Sequence, residues 1–214
     1  MSNRQKRGCI LVLVGLCMVL AAMGLHMAQQ KQDDLAGENA RVLLQQLELS
    51  RTPVPEIAPE PTEVENEPAQ SLPVQTAPVD PTMPEKEYLD YSMIGTLRIE
   101  QLGMLLPILS HWDYDLLNVA PCRYSGSIPT EDMILMGHNY KSHFTPLHKI
   151  TLGTQVEFED VNGVIYRYEV AQIVHLHKSE LEQLPSEYPL TLFTCTPGGQ
   201  NRIIVRCATV ESEN

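Results

Sequence analysis

Cys195 ends the apolar run Leu190-Thr191-Leu192-Phe193-Thr194-Cys195, just before the break Thr196-Pro197-Gly198-Gly199, and Arg202 opens the next apolar run. Period-two alternation puts Leu190, Leu192 and Thr194 on one face of a strand and Thr191, Phe193 and Cys195 on the other. Pro at the second and Gly at the third position of the break suit a type II turn. If the two runs pair as an antiparallel hairpin, the symmetric register sets Cys195 opposite Arg202, with Cβ atoms about 5 Å apart. A guanidinium beside a thiol favours the thiolate and stabilises an oxyanion, and acyl transfer by cysteine needs both. The structural alternative is a small buried thiol with a surface arginine.

The same register puts Arg206, the competing arginine, opposite Thr191, four residues away along each strand, so Arg202 is preferred. Cys207 falls on the other face and reads as structural, and Cys122 precedes the next segment of interest. A base is also needed. His138 ends Met133-Ile134-Leu135-Met136-Gly137-His138, so an exit at Gly137 would hold its imidazole at a strand edge, although such a histidine is often only structural. His143 and His148 lie close in sequence, but no cysteine or carboxylate completes a ligand set at convincing spacing, so no metal and no cofactor is expected.

The elements that must position these residues are short strands. Apolar runs at 94–100, 104–109, 132–138, 154–160, 164–174, 190–195 and 202–210 alternate with turn signals, Asn162-Gly163 among them. Helical signal is confined to brief pieces near 112–119, 143–150 and 178–184. This pattern predicts an all-β sandwich or barrel over 89–214.

The front of the chain is different. Residues 8–28 carry no charge and suffice for a membrane-crossing helix of about 20 residues, with Arg4, Lys6 and Arg7 before it. This predicts 1–7 in the cytoplasm, 8–28 as a single transmembrane signal-anchor and the remainder outside. A cleaved signal peptide is the rival, with Ala22-Met23-Gly24 as a passable site. Residues 29–51 read as a juxtamembrane helix, whose apolar side would be Leu35, Val42, Leu43, Leu44, Leu47 and Leu49. From 52 to 88 the chain turns Pro- and Glu-rich and reads as a disordered stalk. In polyproline form that stalk would hold a domain on the order of 100 Å from the membrane. The net charge of −12 shows no basic patch and excludes a nucleic-acid binder. Of five cysteines, Cys122, Cys195 and Cys207 lie in the exported part, an odd number that flags a reactive thiol.

Thr191-Leu192-Phe193-Thr194-Cys195, followed by Thr-Pro-Gly-Gly-Gln-Asn-Arg, resembles the Thr-Leu-x-Thr-Cys strand and downstream arginine of the sortases, membrane-anchored cysteine transpeptidases of Gram-positive surfaces. Met133 to Tyr140 is similar to their strand ending in Gly-His. Phe144 to Phe158 is similar to their Phe-x-x-Leu segment with a following turn and strand, and Ile94 to Ile108 to their first hairpin. The motifs cover essentially all of 92–210 in family order.

The resemblance implies a closed sortase-type β-barrel of seven to eight strands with short helices. It implies Cys195 as nucleophile, His138 as acid/base partner and Arg202 as the oxyanion or substrate-carbonyl stabiliser. Surface proteins carrying an LPxTG-like sorting signal would be the substrates, and an amine, from a peptidoglycan precursor or a pilin lysine, the acceptor. Loop 175–189 holds the position that shapes the signal groove in that family. Asp80-Pro81 is followed by Thr82 rather than an aromatic, and no apolar tail follows Thr209, which disfavours a pilin polymerase. Two rivals stay open: a hydrolytic cysteine peptidase on the same fold, and a non-catalytic surface module that binds peptides.

Overall fold

The computed structural model describes residues 3–51 and 83–210. Helix α1 (Asn3–Arg51) is followed by β1 (Lys86–Tyr88), β2 (Tyr91–Ile99), β3 (Met104–Leu109), α2 (Tyr114–Leu117), β4 (Cys122–Ser125), β5 (Met133–Met136), β6 (Gln155–Asp160), β7 (Ile165–His177), β8 (Leu190–Cys195) and β9 (Asn201–Thr209). The strands run in the order β2-β3-β4-β5-β8-β9-β7-β6, and β6 pairs with β2 to close an eight-stranded barrel, with β1 added outside β2. The fold class expected from the sequence is the one observed.

Period-two alternation fills the barrel. Leu97, Ile99, Met133, Leu135, Val156, Phe158, Leu190, Leu192, Ile203 and Val205 point inward into one core. The β6–β7 turn is held by Asp160, whose Oδ1 accepts from the backbone N–H groups of Asn162 and Val164, and Gly163 takes the left-handed conformation at φ 85°. Two strands escape the sequence pattern. β4 is too short to alternate and exists through its partners, pairing parallel to β3 at Leu109↔Cys122 and antiparallel to β5. β1 lies within the part read as stalk, yet it pairs with β2, and Met83 before it is buried. The described part of the barrel unit therefore includes residues 83–88, ahead of the expected boundary at 89, while 52–82, the rest of the expected stalk, lies outside the described residues. The first three residues of loop 175–189 also belong to a strand, because pairing with β9 carries β7 on to His177.

Helix α1 is continuous, with no break between the apolar segment and the expected juxtamembrane helix. Its far half docks on the barrel. Ala36, Ala40, Leu43 and Leu47, spaced four, three and four residues apart, form a buried stripe. Leu43 and Leu47 pack with Tyr88, Met93, Leu109, Leu117, Ala120 and Cys122 in a second apolar cluster. Three leucine or valine positions expected on that face, Leu35, Val42 and Leu49, are instead exposed, because the two alanines let the helix lie close to the barrel and turn the larger side chains away. Asp33 is already in contact with the barrel, about 8 Å along the helix from residue 28. Among the described residues the helix itself is therefore in contact with the barrel.

Candidate active site

The hairpin raised from the sequence forms as expected. Cys195 pairs with Arg202 and Thr191 with Arg206, while Leu190 faces Cys207. The turn between them is held by the Gly199 N–H donating to Thr196 O at 2.8 Å, with Gly198 at φ 83° in the position where type II geometry requires a positive angle. Thr196 N–H then donates to Asn201 O at 2.9 Å, which locks the register that places Cys195 and Arg202 abreast.

β5 runs parallel to β8 with Met136 opposite Phe193, and Gly137 N–H extends the ladder by donating to Phe193 O at 3.2 Å. His138 follows the end of β5 by two residues, as Cys195 follows Phe193 in β8. Gly137 is required at the exit: a Cβ there would lie 2.8 Å from the ring of Phe144, which is wholly buried. Phe144 N–H in turn donates to His138 O at 3.1 Å and folds the chain back beneath the histidine. Cys195 and Arg202 thus face each other at the ends of β8 and β9, and His138 follows the end of the adjacent strand β5.

Burial separates the three thiols. Cys122 is buried, its Sγ donating to Ala120 O at 3.3 Å, and burial, with Asp113 adding, pushes its thiol up to about 12. Cys207 sits in the barrel core, where burial also pushes it up to about 12. Cys195 is half-buried and faces outward. A thiol that cannot ionise is not a nucleophile, so burial makes Cys122 and Cys207 inert.

His138 is half-buried, and burial lowers its pKa below the usual 6.5, so the imidazole is neutral at pH 7 and able to accept a proton. Its ring packs on Tyr140 at 4.7 Å between centroids, and Tyr140 packs on His143 at 5.4 Å. His143, one of the histidines the sequence set aside, is fully buried, and neither ring nitrogen has a hydrogen-bond partner among the described residues. Burial first, and then the nearness of His138, lowers it to about 4, with the main chain of Val119 and Ala36 pulling the other way.

The two arginines are held differently. Arg202 Nη1 donates to Gly199 O at 2.9 Å and Asn201 O at 3.1 Å, so its guanidinium is braced by the turn. Arg206 donates from Nη1 to Gln172 Oε1 at 2.9 Å and from Nη2 to Gln183 O at 2.7 Å, and so ties β7 and the β7–β8 loop to β9. That loop lays Leu184 on Ile134, Leu176, Phe193 and Ile204, an apolar bed leading along the outer face toward Cys195. Tyr124 meets Phe193 edge-on at 5.4 Å, and Trp112 stacks on Tyr124 at 5.6 Å. The sequence reading missed this aromatic wall. Its signal was present in Trp112 and Tyr124, but β4 and the preceding loop gave no periodicity to place them.

A sequence model of the sortase domain matches residues 97–210, more than half of the chain. The chain belongs to the sortase family. Among solved structures, this sortase is similar to sortase C1 of Streptococcus agalactiae in complex with MTSET, at 24% identity and a TM-score of 0.51, covering 57% of this chain and 69% of that one. It is similar to the sortase D5 transpeptidase of Clostridium perfringens at 22% identity and a TM-score of 0.50, covering 56% and 79%. Sortase A of Corynebacterium diphtheriae matches at 21% identity and a TM-score of 0.52, covering 57% and 63%. At such identities the likeness is one of fold and does not sort the chain among the C, D and A types. No curated protein matches the chain at comparable stringency. The family makes this protein a cysteine transpeptidase with sorting-signal substrates and amine acceptors.

Proposed function

We propose that this sortase cleaves an LPxTG-like sorting signal with Cys195 and transfers the acyl group to an amine of the cell wall. The pairing of Cys195 with Arg202 is the observation that carries this reading, and His138, just past the end of the neighbouring strand β5, supports it. Neutral His138 takes the Cys195 proton as sulfur attacks the carbonyl carbon of the signal's threonine. Arg202 donates to the developing oxyanion from a guanidinium braced by the turn. The tetrahedral intermediate collapses as His138 returns the proton to the departing amine, leaving a thioester. An incoming amine gives its proton to His138 and displaces the thiolate. The apolar bed of Ile134, Phe193 and Ile204 offers the signal's apolar residues a place to bind.

Helix α1 is proposed as the single-pass anchor, with 1–7 inside and the barrel outside. An 18-residue window within Leu13–Leu49 has a mean hydropathy of 1.5 and none of it is buried against the barrel. The proposed catalytic domain then includes Met83 and β1.

The test is intact-protein mass spectrometry of the full chain in detergent after incubation with a panel of sorting-signal peptides. A mass increase matching the peptide up to its threonine, absent in Cys195→Ala, supports the reading. Hydrolysed peptide with no transfer to added triglycine would favour the hydrolytic rival. A peptide bound without any adduct would favour the binding module.

A further inference from the structure

The loop after β5 that bears His138 is gripped by the anchor helix. The Asp33 side chain of α1 accepts the backbone N–H of Lys141 through Oδ1 at 3.0 Å, and Asp33 O accepts from Ser142 Oγ at 3.1 Å. One turn further along α1, Gly37 brings the helix so close that a Cβ would stand 3.1 Å from Ser142 Cβ. Ala36 and Ala40, on the same side, are buried against the barrel. On the other side of these contacts Tyr140 packs on the His138 ring, and its hydroxyl donates to Asn118 Oδ1 at 3.1 Å. Asp33, Lys141, Tyr140 and His138 therefore form a continuous path from the helix to the imidazole.

We propose that α1 is part of the active-site framework: Asp33 and Tyr140 are positioning residues that fix His138 beside Cys195. The inference rests on the acid/base role of His138. The physical reason is that residues 138–145 lie in a loop between β5 and a 3₁₀ turn at Thr145–Lys149, and β5 ends at Met136. Past Gly137 no sheet ladder holds the chain, so side-chain and turn contacts must do so, and a base displaced by about 1 Å loses much of its effect. Lys141 N–H, a backbone donor on an exposed loop, finds its acceptor in the helix rather than in water. One consequence is that the anchor and the catalytic loop are mechanically one piece, with Asp33 a few residues beyond the apolar segment.

The test uses the full chain in detergent micelles and reads the rate at which iodoacetamide alkylates Cys195, followed by peptide mass spectrometry so that exposed Cys17 is counted apart. Wild type, Asp33→Ala, Asp33→Asn, Tyr140→Leu and His138→Ala are compared, with hydrogen exchange over 138–145 measured in each. Asp33→Ala and Tyr140→Leu are expected to slow alkylation about fivefold to tenfold, toward the rate of His138→Ala, and to speed exchange in the loop. Asp33→Asn, which keeps the acceptor oxygen, is expected to stay within about twofold of wild type. Full-speed alkylation in Asp33→Ala beside a slow His138→Ala would overturn the inference and leave the proposed function standing. Full-speed alkylation in His138→Ala would remove the histidine as base and the inference with it.

Discussion

Cys195 and Arg202 face each other across a hairpin whose register is locked on one side by the Thr196–Gly199 turn and on the other by six consecutive residue pairs reaching back to Leu190 and Cys207. The thiol and the guanidinium are thus brought together by backbone hydrogen bonds rather than by a bond to each other. That arrangement leaves the thiol and the other N–H groups of the turn-braced guanidinium to meet a substrate, and it costs no reorganisation when charge develops.

Replacing the proposed nucleophile should remove chemistry and spare the fold. Cys195→Ala is expected to abolish acyl-enzyme formation while the thermal midpoint stays within a few degrees of wild type, because a half-buried outer-face side chain creates no core cavity. In the same full chain, Cys122 and Cys207 should resist alkylation until denaturant is added. Prompt native-state labelling of either would show that its burial is not maintained.

Arg202 and Arg206 should fail in different ways. Arg202→Lys is expected to lower kcat by about 100-fold at nearly constant KM, since a point charge does not replace a planar fork braced on Gly199 and Asn201. Arg206→Ala is expected to raise KM with a smaller change in kcat, by loosening the Gln183 side of the groove. The opposite pattern in steady-state kinetics would exchange the two assignments.

Gly137→Ala forces a Cβ against the Phe144 ring at 2.8 Å. About 1–3 kcal/mol of stability should be lost, read as a shift in the urea midpoint. Activity should fall further than stability accounts for, because His138 is the next residue. A fully active, fully stable variant would mean that Phe144 can move aside.

Acid should destabilise the enzyme through His143. Its folded pKa of about 4 lies below the unfolded value of 6.5, so the unfolded chain binds the extra proton and stability falls as pH drops through 6.5 toward 4. The loss approaches on the order of 3 kcal/mol at the acid end. His143→Phe removes both unpaired ring nitrogens and should flatten this part of the stability curve, measured as urea midpoints between pH 7 and pH 4. An unchanged curve would assign the acid loss to other groups.

Local pairing was legible in the sequence. The 190–195 strand, the Thr-Pro-Gly-Gly turn and the start of the next strand could be paired on paper because a hairpin about a short turn has one symmetric register, and that register put Cys195 opposite Arg202. Alternation marked most of the barrel strands for the same reason: a period of two is written directly into residue order. What depended on distant partners could not be read there. β1 and β4 are too short to show a period and exist only through β2, β3 and β5. The strand that leads to His138 lies beside the one that ends in Cys195 through a parallel β5–β8 pairing across more than fifty residues of chain, and no local pattern encodes such a crossover. The docking of α1 was equally hidden. Its contact face is built on Ala36, Ala40 and Gly37, residues that a search for large apolar side chains passes over, and only the closed barrel shows how near a helix can come when those positions are small.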